Sequence, residues 1–282
     1  MSQANSAQAD YWSSESGHQW IAQETFLDAA MAAILGRLLE RTDIRPKENL
    51  LDIGCGTGAS TLAAAIKTGP TGHVTGLDIA EQLLNRARRR SADAGLGNTS
   101  FILADAQTHP FVPESFDAII SRFGLMFFDS PVEAFANMAR GLKPNGRLVF
   151  AAWAPADGNP WFSIPRDAAI ARLGKPAPAD PFAPGPLAFQ DVERVTKLME
   201  QAGLKGVRGE TEIIQLTPLV NAGKAAATAA RVGPAARIMR EFSGTEADAA
   251  AIESTVAEAF SKFETEKGIS VPATINFYSS YF

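Results

Sequence analysis

Apolar positions recur along this chain with two different periods, and they divide it into alternating segments. Ile21, Phe26, Ala30, Ile34 and Leu38 fall at helical spacing over residues 21–41. "NLLDI" then predicts a first strand, and a helix follows from about Ser60 to Ile66. "HVTGLDI" (73–79) predicts a second strand, and "EQLLNRARRRSADAG" (81–95) a helix that stops at Gly95. "TSFILAD" (99–105) and "SFDAIIS" (115–121) predict the third and fourth strands. Ser130, Pro131 and Glu133 have the pattern of a capping box with proline at the first helical position. Ala134, Phe135 and Met138 give that helix an apolar face, and Gly141 ends it. "KPNG" turns the chain into a fifth strand, "RLVFAAW" (147–153).

Strands that alternate with helices at this spacing predict a parallel, doubly wound α/β sheet. The alternation breaks at "KPAPADPFAPGP" (175–186), whose five prolines fit neither a helix nor an inner strand. Helical spacing resumes over 191–202, "VRGETEIIQL" (207–216) predicts a sixth strand, residues 220–267 look helical, and "VPATINFYSSYF" (271–282) is strand-like. Residues 1–20 are polar, with Tyr11, Trp12 and Trp20 embedded. They form either a segment that folds over a ligand or a packing anchor. The expected organisation is an N-terminal helical cover (1–44), then one domain (45–282) with cap insertions at about 154–190 and 220–268.

Composition narrows the function. A net charge of −5 over 282 residues argues against a nucleic-acid partner, which calls for a basic face. The run Arg88-Arg89-Arg90 reads as a solvated helix face. A single cysteine cannot form an internal disulfide and suits a reducing compartment. The N-terminus has neither a basic nor an apolar leader region, and no apolar run approaches the roughly 18 residues that cross a bilayer. A soluble cytoplasmic protein without a membrane or nucleic-acid partner is expected.

The chemistry starts at "LLDIGCGTGAS" (50–60). Glycines after a strand let the backbone turn sharply and let a ligand approach, while the following helix offers N–H groups and a positive dipole end. The spacing of Gly54, Gly56 and Gly58 is G-x-G-x-G, not the G-x-G-x-x-G of dinucleotide binders. Asp52 precedes the loop. Asp78 ends the second strand, where a carboxylate can accept from both hydroxyls of a ribose. Asp105 ends the third strand and is followed by Ala106.

This set resembles the class I S-adenosylmethionine-dependent methyltransferases: "LLDIGCGTG", "GLDIA", "ADAQ" and "FDAIISRFGLMFF" are similar to their successive motifs over roughly 45–155. The likeness is greatest to the small-molecule branch that includes ubiquinone and menaquinone biosynthesis methyltransferases. It implies a Rossmann-like, mostly parallel seven-stranded sheet with a C-terminal antiparallel strand, and S-adenosylmethionine as cofactor. By position, Gly54, Cys55, Gly56, Thr57 and Gly58 would shape the seat of the methionine end. Asp52 would organise the loop near the ammonium. Asp78 would hold the ribose, with Ile79 on the adenine. Asp105 would take the adenine amino group and the Ala106 N–H a ring nitrogen. Ser121 would contact the ammonium through its carbonyl. Trp20, in the polar N-terminal arm, is expected to cover and bind the cofactor.

On the acceptor side, Arg122 and Phe123 follow the fourth strand, with Phe127 nearby. Arg122 serves either a substrate anion or an ion pair of the fold. His18 is the histidine considered as a base, since the others are His73, expected to start a strand, and His109, expected to be solvated. Cys55 reads as a small loop residue rather than a nucleophile. No metal is expected. The aromatics Phe123, Phe127, Phe128, Trp153, Trp161 and Phe162 predict a small, largely apolar or aromatic methyl acceptor. A nicotinamide-dependent oxidoreductase and a non-catalytic cofactor-binding subunit are the competing readings.

Overall fold

A computed structural model describes residues 4–178, 180–218 and 220–282; the expectations for residues 1–3 and 179 fall outside them. The N-terminal part is helical: α1 (Ser6–Trp12), α2 (Glu15–Ala22), α3 (Glu24–Ala30) and α4 (Ala32–Thr42). The single helix expected over 21–41 is thus three, broken at Gln23 and Met31, which leave helical geometry at ψ 5° and 9°. The breaks turn α3 so that Phe26, Leu27 and Ala30 are buried, while α4 buries Ile34, Leu38 and Leu39.

The alternating core follows: β1 (Asn49–Ile53), α5 (Ala59–Thr68), β2 (His73–Asp78), α6 (Glu81–Asp93), β3 (Thr99–Leu103), β4 (Phe116–Arg122), α7 (Pro131–Gly141) and β5 (Leu142–Trp153). β3 closes at Leu103, so Asp105 lies in the turn beyond it rather than on the strand. Pro131 opens α7 as expected, but the Ser130 side chain caps nothing; its backbone N–H instead donates to Gln107 Oε1 at 3.2 Å. α8 (Pro160–Leu173) and α9 (Val192–Gln201) precede β6 (Lys205–Leu216). The region expected to be helical from 220 to 267 holds α10 (Ala222–Arg231), α11 (Pro234–Glu241) and α12 (Glu246–Phe260), then a small hairpin of β7 (Glu264–Thr265) and β8 (Gly268–Ile269). The chain enters β9 (Val271–Tyr281) directly afterwards.

Seven strands form one sheet in the order β3-β2-β1-β4-β5-β9-β6. β1 to β5 are parallel neighbours, and β9 runs antiparallel between β5 and β6. The alternation of elements predicts the doubly wound part of this sheet, and the family resemblance implies its Rossmann-like, mostly parallel form with an antiparallel C-terminal strand. Leu50, Val74, Ala118 and Ile120 pack with Ala64 and Ala65 of α5 and Leu39 of α4. Leu51, Ile53, Leu77 and Ile119 belong to the larger core with Phe135 and Met138 of α7. Helices on both faces explain why these strands are continuously apolar rather than alternating. The strand order reverses between β1 and β4, and the C-terminal ends of those two strands define the crevice where ligands of such sheets bind. Among the described residues, no helix is long and apolar enough to cross a membrane.

Candidate active site at the sheet's switch point

The three glycines after β1 all have positive φ, but each for its own reason. At Gly54 (φ 63°) a Cβ would lie 2.6 Å from the Cα of Gly124, so β1 and the turn after β4 touch backbone to backbone. At Gly58 (φ 88°) a Cβ would meet Ala87 of α6 and Leu62 of α5 at 3.0 Å. Only Gly56 (φ 56°) faces open space, its nearest neighbour being Trp20 Nε1 at 4.0 Å. Two glycines therefore serve packing, and Gly56 is the one that leaves room for a ligand beneath the Trp20 ring. Cys55 is buried under the loop against Gly76, and burial pushes its thiol well above the ordinary range, which makes it a packing residue.

Three carboxylates surround the loop. Asp52 is fully buried; its Oδ2 accepts from Ser60 Oγ at 2.7 Å and Thr61 Oγ1 at 2.6 Å. Burial pushes its carboxyl up to about 6, against those two hydroxyls and the charge of Arg122. Asp78 accepts from Gly56 N at 2.8 Å through one oxygen and from Ala80 N at 2.9 Å through the other. Burial raises its pKa too, opposed by those donors and the N–H of Ile79. Three N–H donors on two oxygens leave the carboxylate acceptor capacity for a ligand hydroxyl. Asp105 accepts from Gln107 N at 2.9 Å and, through both oxygens, from Asn5 Nδ2 at 3.0 Å. Ala106 is buried, and its carbonyl accepts from Asn137 Nδ2 at 2.9 Å.

Beyond β4, Ser121 uses its hydroxyl to join the two halves of the crevice: it donates to Ile53 O at 2.7 Å and accepts from Gly124 N at 3.1 Å. Phe123 holds φ 66°, a conformation bulky residues rarely adopt, and stacks on Trp153 with ring centres 4.5 Å apart. Trp153 meets Phe162 edge-on at 4.7 Å, and Trp161 lies between Phe26 and Phe260, each at 5.8 Å. One aromatic wall thus joins α3, β5, α8 and α12 beside the crevice.

Arg122 belongs to an ion-pair network. Asp28 accepts from Arg122 Nη2 at 3.3 Å and from Arg90 Nη2 at 2.7 Å. Arg90 also donates to the carbonyl and hydroxyl of Thr57, both at 3.1 Å, and Glu24 pairs with Arg86 at 2.8 Å. Burial pushes the Glu24 carboxyl up, but its hydrogen bonds to Arg86 and the charge of Arg90 bring it below its ordinary value. The arginine run expected to be solvated therefore includes Arg90, which ties α6 to the glycine loop. His18 is mostly exposed on α2, 3.8 Å from Glu15, and His73 starts β2 with Nε2 2.9 Å from Ser100 Oγ. His109 packs edge-on against Phe111.

The residues fit S-adenosylmethionine on one direct observation. Of the four buried side-chain atoms without a hydrogen-bond partner among the described residues, two lie here and are opposite in kind: Asp52 Oδ1, an acceptor, and Arg122 Nη1, a cationic donor. A methionine moiety brings the matching ammonium and carboxylate. Asp78 and Asp105 supply acceptors suited to hydroxyls and an exocyclic amine.

The family described as "Methyltransferase domain" matches residues 44–170, and over this part the chain is similar to S-adenosylmethionine-dependent methyltransferases. Among curated proteins, the chain is 39% identical over 112 residues to nocamycin O-methyltransferase of Saccharothrix syringae, covering 40% of this chain and 40% of that protein. It is 36% identical over 138 residues to the ubiquinone/menaquinone biosynthesis C-methyltransferase UbiE of Ectopseudomonas mendocina (strain ymp), covering 47% of this chain and 54% of that one. The chain thus spans about half the length of the curated relatives it matches. The crystal structure of YcgJ from Bacillus subtilis shares the fold, with TM-score 0.55 and 17% identity over 88% of this chain and 97% of that one.

Sequence reasoning missed the partners of Asp105. Gln107 lies inside the quoted "ADAQ", but nothing in the pattern of the first ten residues marks Asn5 as a buried side chain a hundred positions from its partner.

Proposed function

We propose that this protein transfers a methyl group from S-adenosylmethionine to a small, largely apolar or aromatic molecule, in the cytoplasm. The reading is carried by the juxtaposition of the Gly56–Asp78–Asp105 crevice with the aromatic wall of Phe123, Trp153, Phe162 and Trp161 at the same end of the sheet. It is supported by relatives named as a nocamycin O-methyltransferase and a ubiquinone/menaquinone biosynthesis C-methyltransferase. The net charge of −5 offers no attraction to a polyanion.

S-adenosylmethionine supplies a methyl already activated on a sulfonium sulfur. The protein's share is alignment, which contributes about 7–11 kcal/mol in favourable cases. Asp78 would hold the sugar, and Asp52 with Arg122 would hold the charged end of the cofactor. Phe123 and Trp153 present flat apolar faces that orient a planar acceptor and exclude water. Their neighbours from α8 and α12 also join the cap to the core, so the wall has a packing role beside its ligand role.

The test is transfer of labelled methyl from the cofactor into fractionated cell extract. Label is expected in small-molecule fractions; label only in nucleic acid or protein overturns the acceptor class. Calorimetry with S-adenosylhomocysteine is expected to give one site per chain, and absence of binding overturns the cofactor assignment.

A further inference from the structure

The first residues of the described chain already satisfy the crevice's outer carboxylate. Asn5 is 2% exposed, although α1 after it buries no residue at all. Its backbone adopts φ 54°, a left-handed conformation that asparagine tolerates, and this turns the side chain inward. The amide nitrogen donates to both oxygens of Asp105 at 3.0 Å and to Gln107 Oε1 at 3.1 Å. The amide oxygen accepts from Asp129 N at 2.7 Å, and Asn5 N donates to Asp129 Oδ2 at 2.9 Å. A planar NH2 group thus engages the carboxylate that, on the reading above, serves the exocyclic amine of adenine.

The rest of the segment is lightly held. Gln82 donates to the carbonyls of Trp12 and Ser14 at 2.6 and 3.1 Å. Trp12 rests edge-on against Trp20 and Phe127, at 5.8 and 5.5 Å, and the exposed Tyr11 takes a 3.4 Å hydrogen bond from Arg240 of α11. A seven-residue helix with no buried residue has little to resist local opening. Its one deep anchor is the amide of Asn5.

We propose that residues 5–12 are an autoinhibitory strap: the Asn5 amide stands in for the adenine exocyclic amine at Asp105, and the nucleoside end of S-adenosylmethionine is seated by displacing it. The proposal rests on the cofactor reading above and adds a competition to it. Donors of the same geometry cannot both engage the two oxygens of Asp105, because Gln107 N already holds one of their lone pairs. Cofactor affinity is then lowered by the fraction of molecules in which the strap is closed.

The experiment compares the parent with Asn5→Ala and with Asp129→Ala, which frees the backbone of Asn5 without touching Asp105. S-adenosylhomocysteine binding is followed by calorimetry and stopped-flow tryptophan fluorescence, and amide exchange is measured over residues 5–12 with and without ligand. Both variants are expected to bind about tenfold tighter, mainly through faster association, as the closed fraction falls. In the parent, ligand is expected to speed exchange over residues 5–12. Equal or weaker binding by Asn5→Ala, or ligand-induced protection of those amides, overturns the strap and makes Asn5 part of the closed complex. Failure of the parent and both variants to bind overturns the cofactor reading itself, and the strap with it.

Discussion

Asp78 has both a structural and a binding task, and the two separate on mutation. Its oxygens hold the N–H groups of Gly56 and Ala80, so removal loosens the loop as well as the ribose seat. Asp78→Ala is expected to weaken S-adenosylhomocysteine binding by about 2–4 kcal/mol, more than it lowers folding stability, and calorimetry alongside thermal unfolding checks the ranking. Asp52 predicts a pH dependence. Its folded pKa of about 6 lies above the ordinary 3.8, so the folded state keeps a proton that the unfolded chain has released between those values. Its contribution is therefore fully present below pH 3.8 and is lost as pH rises through 6. The ionised, buried form costs about 3 kcal/mol. Asp52→Asn keeps an oxygen for Ser60 and Thr61 and removes that cost. The variant is expected to be more stable than the parent at pH 8, with the difference vanishing near pH 4. A bound ammonium favours ionised Asp52, so ligand affinity of the parent is expected to fall on acidification through 6, a step absent from Asp52→Asn. At this scale the placement of Asp52 and Asp78 on β1 and β2 beside the glycine loop was legible, because a carboxylate at a strand end beside glycines is a local signal, whereas Asp105 lies in the turn beyond β3. The neighbours of Asp105 were not legible, since the Asn5 contact spans 100 positions of sequence.

Among the elements, α3 and α6 are joined by charge rather than by a shared apolar face. Asp28 bridges Arg90 and Arg122, and its side chain is 24% exposed against 10% for Arg122. Asp28→Ala leaves two partly buried guanidinium groups facing each other. It is expected to cost about 2 kcal/mol after allowance for partial exposure, read as a lowered urea midpoint; Asp28→Glu is expected to recover part of it. This network also explains the limits of periodicity. Ile21 to Leu38 keep helical spacing, yet the chain breaks at Gln23 and Met31, because Glu24 and Asp28 must reach Arg86 and Arg90 while Ile34 and Leu38 stay in the core. A spacing rule records which positions are apolar and is silent about a turn made to satisfy two ion pairs. The strands β1, β2, β4, β6 and β9 were legible within two residues, because each is a compact apolar or alternating run bounded by turn residues. The hairpin over 264–269 was not, since its two-residue strands carry no pattern of their own.

At the scale of the whole molecule, the seven-stranded sheet was readable from the alternation of strands and helices. The segments that hold α8, α10, α11 and α12 were readable only as helical, because these helices meet one another through contacts remote in sequence, such as Trp161 with Phe260. The place of β9 was not readable from local pattern: residues 271–281 insert between β5 and β6, and among the described residues β6 pairs with β9 alone. That insertion has a consequence during synthesis. While the chain is being made, β6 has left the ribosome with nothing to pair with, and β5 shows an unfilled edge. The nascent protein must hold open strand edges until residues 271–281 emerge, which is the state most prone to pairing with other chains. A chain stopped after residue 270 is expected to collect in the insoluble fraction, and supplying residues 271–282 in trans as a peptide during refolding is expected to recover soluble protein. A soluble, monomeric product from the shortened chain alone would show that β5 and β6 can close the gap without the strand that separates them.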